Sequence, residues 1–156
     1  MSGITLVLQA LYGGERHLEA ALLAAAERHR ADHEVHHVAT DLARWSREHG
    51  DRLAEASRHH GLVLDETAAA APEAADGQDA APTHPGLLLL RDLTALHLAA
   101  GRNSLHWEML AQVAQATRDD RLAALASDCH PQTLRQMRWC NTLLKNLSPQ
   151  VLASMA

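Results

Sequence analysis

Apolar residues recur with helical spacing in four stretches of the chain. Asp32 has the character of a helix N-cap before the second stretch, and Pro149 is expected to end the fourth. The pattern predicts four long helices, at about residues 4–30, 32–61, 86–116 and 118–147. Ala and Leu dominate the composition while Phe is absent, which favours helices over strands.

Two of the breaks between these helices are short, and one is long. The breaks near residues 31 and 117 span only a few residues, so each should join antiparallel neighbours. Residues 62–85 mix alanine, acidic residues and prolines without a period, which is typical of a linker. We therefore predict an all-α, four-helix bundle of two antiparallel hairpins, with residues 1–156 forming a single domain. The linker either crosses the bundle or loops back at one end.

Charge and cysteine content exclude several classes of function. The net charge of -5 leaves no basic face for phosphates, so we expect no nucleic-acid partner. No apolar run approaches the ~18 residues of a membrane span, so we expect no membrane association. Cys129 and Cys140 lie about 16 Å apart along one predicted helix, too far to form a disulfide. Two free thiols indicate a reducing compartment, so the predicted location is the cytoplasm.

Residues 33–37 read His-Glu-Val-His-His and match the H-E-x-x-H motif of zinc peptidases. In that motif His33 and His37 share one helix face, and Glu34 acts as a general base. At about 100° per residue, however, both imidazoles point away from the apolar stripe that contains Leu42. We therefore expect His33 and His37 to be exposed and without a metal, and a zinc peptidase is a minor alternative.

Glu15 and His49 are polar residues on apolar stripes, one on each helix of the first hairpin. Glu15 lies sixteen residues before the turn near Ala31 and His49 lies eighteen after it, so the two should meet at similar height. A buried carboxylate is costly unless it is paired or bound to a metal. The pair therefore indicates either a structural hydrogen bond or a metal or catalytic site.

The second hairpin offers Glu108 and His130, which lie at the edges of its apolar stripes and also suit ordinary boundary positions. If the linker crosses the bundle, these two residues fall near the level of the first pair. If the linker loops back, His97 and Thr133 face the first pair instead. The crossing arrangement supplies one glutamate and one histidine from each hairpin, which suits a site for iron, manganese or zinc.

Short motifs on three of the helices resemble the ferritin-like superfamily, and the first hairpin is similar to uncharacterised or stress-associated bacterial ferritin-like proteins. The motifs are Leu11-Tyr12-x-x-Glu15-x-x-Leu18, an inward His49, and His130-x-x-Thr133-x-x-Gln136. The resemblance implies a long crossover between the second and third helices. It therefore selects as metal ligands Glu15, His49, Glu108 and His130.

The chain departs from the ferritin-like pattern where a di-iron site needs its ligands. A complete site takes a glutamate from each of two helices and E-x-x-H from each of the other two. No inward E-x-x-H occurs here, and the fourth helix has Asp128-Cys-His-Pro131 in the corresponding region. We therefore predict a degenerate site that holds a single transition metal or none. No reaction follows from these residues, and a non-enzymatic protein is favoured.

The alternative interpretation is a non-enzymatic interaction module whose core polar pairs are purely structural. The third helix carries a second apolar face opposite its core stripe, formed by Leu88, Leu98, Leu105, Met109 and Val113. A helix that is apolar on two faces usually packs against another chain. The sequence therefore predicts a homodimer formed through the third helix.

Overall fold

The computed structural model describes residues 2–64 and 83–155, and these residues form four helices and no strand. The helices are α1 (Gly3–Arg28), α2 (His33–His59), α3 (Pro85–Ala116) and α4 (Asp120–Ala153). The all-α prediction is confirmed for this part of the chain. Most of the predicted linker lies outside the described residues.

Side-chain caps and a proline fix the starts of three helices. The carboxylate of Asp32 accepts a hydrogen bond from the backbone N–H of Val35 at 3.2 Å, as the sequence predicted. Asp119 does the same for the N–H of Leu122 at 3.1 Å. Pro85 begins α3, where the N–H that proline lacks has no partner inside the helix in any case.

The fourth helix continues beyond Pro149, where the sequence predicted its end. Pro131 and Pro149 lie inside α4, and each lacks the N–H that would bond to the carbonyl four residues earlier. Those carbonyls belong to Ser127 and Lys145, which are exposed residues, so solvent can replace the missing hydrogen bonds. The helix therefore tolerates both prolines and ends at Ala153.

The four helices surround a shared core. Helices α1 and α4 each contact both α2 and α3, whereas the described parts of the two diagonal pairs do not approach closely. Buried apolar side chains form two clusters within this core. The first cluster includes Leu22 and Leu93, and the second includes Leu8 and Trp107. Removal of this apolar surface from water is the main force that holds the helices together.

Candidate functional site

A layer of buried polar side chains separates the two apolar clusters. On every helix, the polar residues fall between the residues of one cluster and those of the other. This polar layer consists of Glu15 on α1, Ser46 and His49 on α2, Asn103 and Ser104 on α3, and Thr133 and Gln136 on α4. Because buried polar groups are costly unless they are hydrogen-bonded, the contacts within the layer decide whether it stabilises the bundle.

Glu15 lies at the centre of the polar layer, with 0% of its surface exposed. Its Oε2 lies 3.2 Å from Nδ1 of His49. Its Oε1 accepts hydrogen bonds from Nδ2 of Asn103 and from Nε1 of Trp107, both at 3.3 Å. The carboxylate therefore has three partners on two neighbouring helices, which compensates for its loss of hydration.

The imidazole of His49 links α1 to α4. Its Nδ1 faces Glu15, and its Nε2 lies 2.7 Å from the amide oxygen of Gln132. Because both neighbours present oxygen acceptors, the doubly protonated imidazolium satisfies both contacts. Burial lowers the pKa of His49, but the hydrogen bond and charge of Glu15, with smaller contributions from Gln132 and Glu48, raise the pKa above its ordinary 6.5.

The predicted contact between the buried residues Glu15 and His49 is therefore present, but three of its partners were missed at the level of sequence. Two of them, Asn103 and Trp107, are four residues apart on α3, a spacing that places both on one helix face. The adjacent Gly13-Gly14 pair on α1 is a second sequence feature that indicates a close contact with a neighbouring helix. A Cβ at Gly14 would collide with the amide oxygen of Asn103, so any larger residue there would force this amide to move. The third partner, Gln132, has no comparable signal.

Glu108 and His130 do not join the Glu15–His49 pair in this structure. Glu108 is exposed because it follows the buried Trp107 by one residue and therefore projects about 100° away from it. His130 is half-buried, and its Nε2 lies 2.8 Å from the hydroxyl of Ser104. Glu108 is therefore not observed at the predicted position across the core from Glu15, and its role as a metal ligand stays a prediction.

His97 and Thr133, the residues expected opposite the pair if the linker looped back, bond elsewhere. Nδ1 of His97 lies 3.2 Å from the carbonyl oxygen of Met137. The hydroxyl of Thr133 donates to the carbonyl of Cys129 at 3.4 Å. Both side chains thus satisfy backbone groups of α4 and leave Glu15 to the partners described above.

The polar layer offers two strong metal ligands, Glu15 and His49. Among residues 2–64 and 83–155, no group of three or more His, Cys, Asp or Glu side chains is placed to hold a metal ion. The remaining partners are two amides and the indole of Trp107, whose N–H is a donor with no acceptor function. Every polar atom of Glu15 and His49 has a hydrogen-bonding partner, whereas a reactive metal site keeps a coordination position open. Two buried amide oxygens of the layer, those of Asn103 and Gln136, have no hydrogen-bond partner among the described residues.

The H-E-x-x-H match lies on the surface at the start of α2. His33 and His37 are exposed, as the helical projection predicted, and their rings stack with centroids 6.1 Å apart. Glu34 is exposed as well, and His36 bonds through Nδ1 to the carbonyl of Ala26 at 2.9 Å. The described residues supply no third ligand that would complete a zinc site here.

The two cysteines, Cys129 and Cys140, are buried and unpaired. Burial raises the pKa of each thiol to about 12. Because the thiolate is the reactive form, neither side chain suits nucleophilic or redox chemistry.

None of the four described helices has the continuous apolar length that crossing a bilayer requires. Comparisons with known protein families, with curated proteins and with solved structures found no match.

Proposed function

We propose that this protein is a non-enzymatic helical interaction module, in which the Glu15–His49 pair stabilises the bundle rather than binding a metal. The observation that carries the proposal is that each side-chain oxygen and nitrogen of this pair already has a hydrogen-bonding partner. The oxygens of Glu15 face three donors, and both nitrogens of His49 face oxygen acceptors. The resulting network connects all four helices at one level, and a buried polar network of this kind fixes helix register.

We also infer a ferritin-like topology from contacts near the helix ends. His29, just after α1, lies 2.6 Å from Asp92 near the start of α3, while Leu8 near the start of α1 shares a cluster with Ala114 near the end of α3. These contacts support opposite directions for α1 and α3. Short turns favour an antiparallel arrangement within each hairpin. Helix α2 then ends at one end of the bundle and α3 begins at the other, which is the connectivity that a long crossover gives ferritin-like folds.

The interaction surface in this proposal is the outer face of α3. Leu98, Leu105 and Met109 are 64%, 58% and 52% exposed, and their spacing places them on one side of the helix. We call these three residues the α3 patch. Leu88 and Val113, which the sequence assigned to the same face, are half-buried and lie outside it.

The partner we propose for the α3 patch is a second copy of this chain. Large apolar side chains that are exposed together are costly in water, and they commonly mark an interface. A two-fold axis through the patch covers the same three residues of both copies at once, whereas an unsymmetrical contact leaves one patch exposed. The protein is accordingly a homodimer in this proposal.

Light scattering of the purified chain tests this interface. We expect a dimer at micromolar concentration, and we expect Leu105→Glu to yield a monomer because it places a charge inside the interface. Leu23→Glu is the matched control, since Leu23 is an exposed leucine on α1 and its replacement should leave the dimer intact. A monomeric wild type, or a dimer that tolerates Leu105→Glu, would count against the proposal.

A single iron, manganese or zinc ion at Glu15 and His49 is the competing proposal, because carboxylate and imidazole are the ligands of ferritin-like metal sites. It requires Asn103 and Trp107 to release the carboxylate. Calorimetric titration with Fe(II), Mn(II) and Zn(II) separates the two proposals. We expect no binding that depends on the pair. Binding that disappears in both Glu15→Ala and His49→Ala would replace our proposal with the metal site.

A further inference from the structure

A solvent-facing cleft of about 240 Å³ lies between α1 and α2, beside the polar layer. Its lining residues are Tyr12, Arg16, Glu19, Arg47, Gly50 and Asp51. The cleft adjoins the Glu15–His49 pair, because Arg16 directly follows Glu15 and Gly50 directly follows His49. Ligand sites commonly measure about 300–1,000 Å³, so this cleft is smaller than most of them and suits only a small molecule.

Each helix contributes one cation and one anion to the cleft. Arg16 and Glu19 come from α1, and Arg47 and Asp51 come from α2. Within the described parts of the chain, none of the four forms an ion pair, although other exposed pairs such as Arg44–Asp41 do so at 3.2 Å. The guanidinium of Arg16 lies over the ring of Tyr12, 6.0 Å from its centroid. The cleft therefore presents guanidinium donors and carboxylate acceptors that make no ion pair with one another.

Gly50 provides an independent indication that the cleft is kept open. A glycine inside a helix is less stable than alanine, so it usually has a steric reason. Here a Cβ would lie 3.9 Å from Cδ of Arg16 and 4.0 Å from Cε2 of Tyr12, which is ordinary van der Waals contact. Packing thus accepts alanine at this position. The added methyl group would instead enter the cleft, because both of its neighbours line that space.

We propose that this cleft binds a free α-amino acid. The two arginines and two acids sum to no net charge, so the ligand that matches them carries one positive and one negative group. A carboxylate is held by guanidinium groups in charge-assisted hydrogen bonds, here from Arg16 and Arg47. The ammonium group lies against Glu19 and Asp51. The remaining lining, Gly50 and the ring of Tyr12, leaves room for a small side chain.

Amide NMR of the full chain tests this proposal with glycine, L-alanine and L-glutamate as probes at millimolar concentration. We expect saturable shifts at the amide of Gly50 and its neighbours. Acetate and methylammonium carry only one of the two charges and should shift these signals far less. A cleft that responds to none of the amino acids, or to acetate as strongly as to glycine, overturns the proposal.

Variants of the cleft separate ligand binding from folding. Gly50→Ala should raise thermal stability while it weakens amino-acid binding by about tenfold or more, because the methyl group occupies the ligand's space. Arg47→Ala and Asp51→Ala alter exposed residues and should also weaken binding, whereas the control Arg44→Ala lies outside the cleft and should not. Unchanged binding in Gly50→Ala or in both exposed cleft variants would contradict the proposed site.

Discussion

The amide oxygen of Asn103 occupies the space that a Cβ atom would fill at Gly14. The nitrogen of the same amide donates to Oε1 of Glu15 at 3.3 Å. The missing side chain on α1 therefore lets an amide of α3 reach the carboxylate that follows the glycine in sequence. Gly13, the neighbouring residue, has open space around the position of its Cβ. The two adjacent glycines thus allow steric effects to be separated from helix propensity.

We predict that Gly14→Ala lowers the free energy of unfolding by about 1–3 kcal/mol, the usual cost of overpacking. The added methyl group must displace the Asn103 amide and thereby weaken its hydrogen bond to Glu15. Gly13→Ala should instead raise the free energy of unfolding by about 0.5–1 kcal/mol, because alanine favours the helix and nothing obstructs it. Denaturant unfolding measures both values. Equal effects of the two substitutions would show that Asn103 is not held in place.

The Glu15–His49 contact makes a second prediction, which a double-mutant cycle tests. Either Glu15→Gln or His49→Gln leaves the other group buried without its charged partner, at a cost of about 3–5 kcal/mol. The double substitution should cost clearly less than the sum, because the second change removes the uncompensated group. Additive costs would mean that the two side chains stabilise the fold independently.

An exposed ion pair serves as the control for that cycle. Arg52 and Asp128 join α2 to α4 with an N–O distance of 3.0 Å, but both side chains are exposed. Solvent screens such pairs, so Arg52→Gln and Asp128→Asn should each change the free energy of unfolding by less than about 1 kcal/mol. A large coupling energy between Arg52 and Asp128 would show that the double-mutant cycle does not report on burial.

The raised pKa of His49 predicts a pH dependence of stability. Although burial lowers this pKa, the contact with Glu15 outweighs it, so folded His49 holds its proton above the ordinary pKa of 6.5. The stabilisation is therefore complete below 6.5 and is lost as the pH rises through the folded pKa. Glu15→Gln should flatten this decline. NMR titration of the His49 ring gives the pKa directly, and a value below 6.5 in the wild type would contradict the prediction.

The sequence was sufficient to predict that Glu15 meets His49, because both lie on clear apolar stripes at matched distances from a short turn. It was insufficient on α3, where apolar residues occupy two faces and the direction of the core is ambiguous. Glu108 was selected from the edge of the α3 stripe by its height under a crossing linker, although the buried residues of α3 beside Glu15 are Asn103 and Trp107. Amide partners are also hard to predict, since an uncharged amide suits a boundary position as well as a buried one.

Helix ends show the same difference between strong and weak local signals. Asp32 caps α2 as predicted, because a short side chain with a hydrogen-bond acceptor just before an apolar stripe is typical of an N-cap. Pro149 does not end α4, because the exposed last turn tolerates a missing hydrogen bond. Local side-chain chemistry was thus enough to predict the start of α2 but not the end of α4.

Cross-linking between copies tests most directly whether the α3 patch forms the dimer interface. Cys129 and Cys140 are buried with pKa values of about 12, so a maleimide reacts first with a cysteine introduced on the surface. A short bis-maleimide should convert Leu105→Cys protein into covalent dimers, because the proposed two-fold axis brings the two copies of this residue together. The matched variant Leu23→Cys should remain monomeric on a denaturing gel. Equal cross-linking of the two variants, or no covalent dimer from Leu105→Cys, would contradict the account.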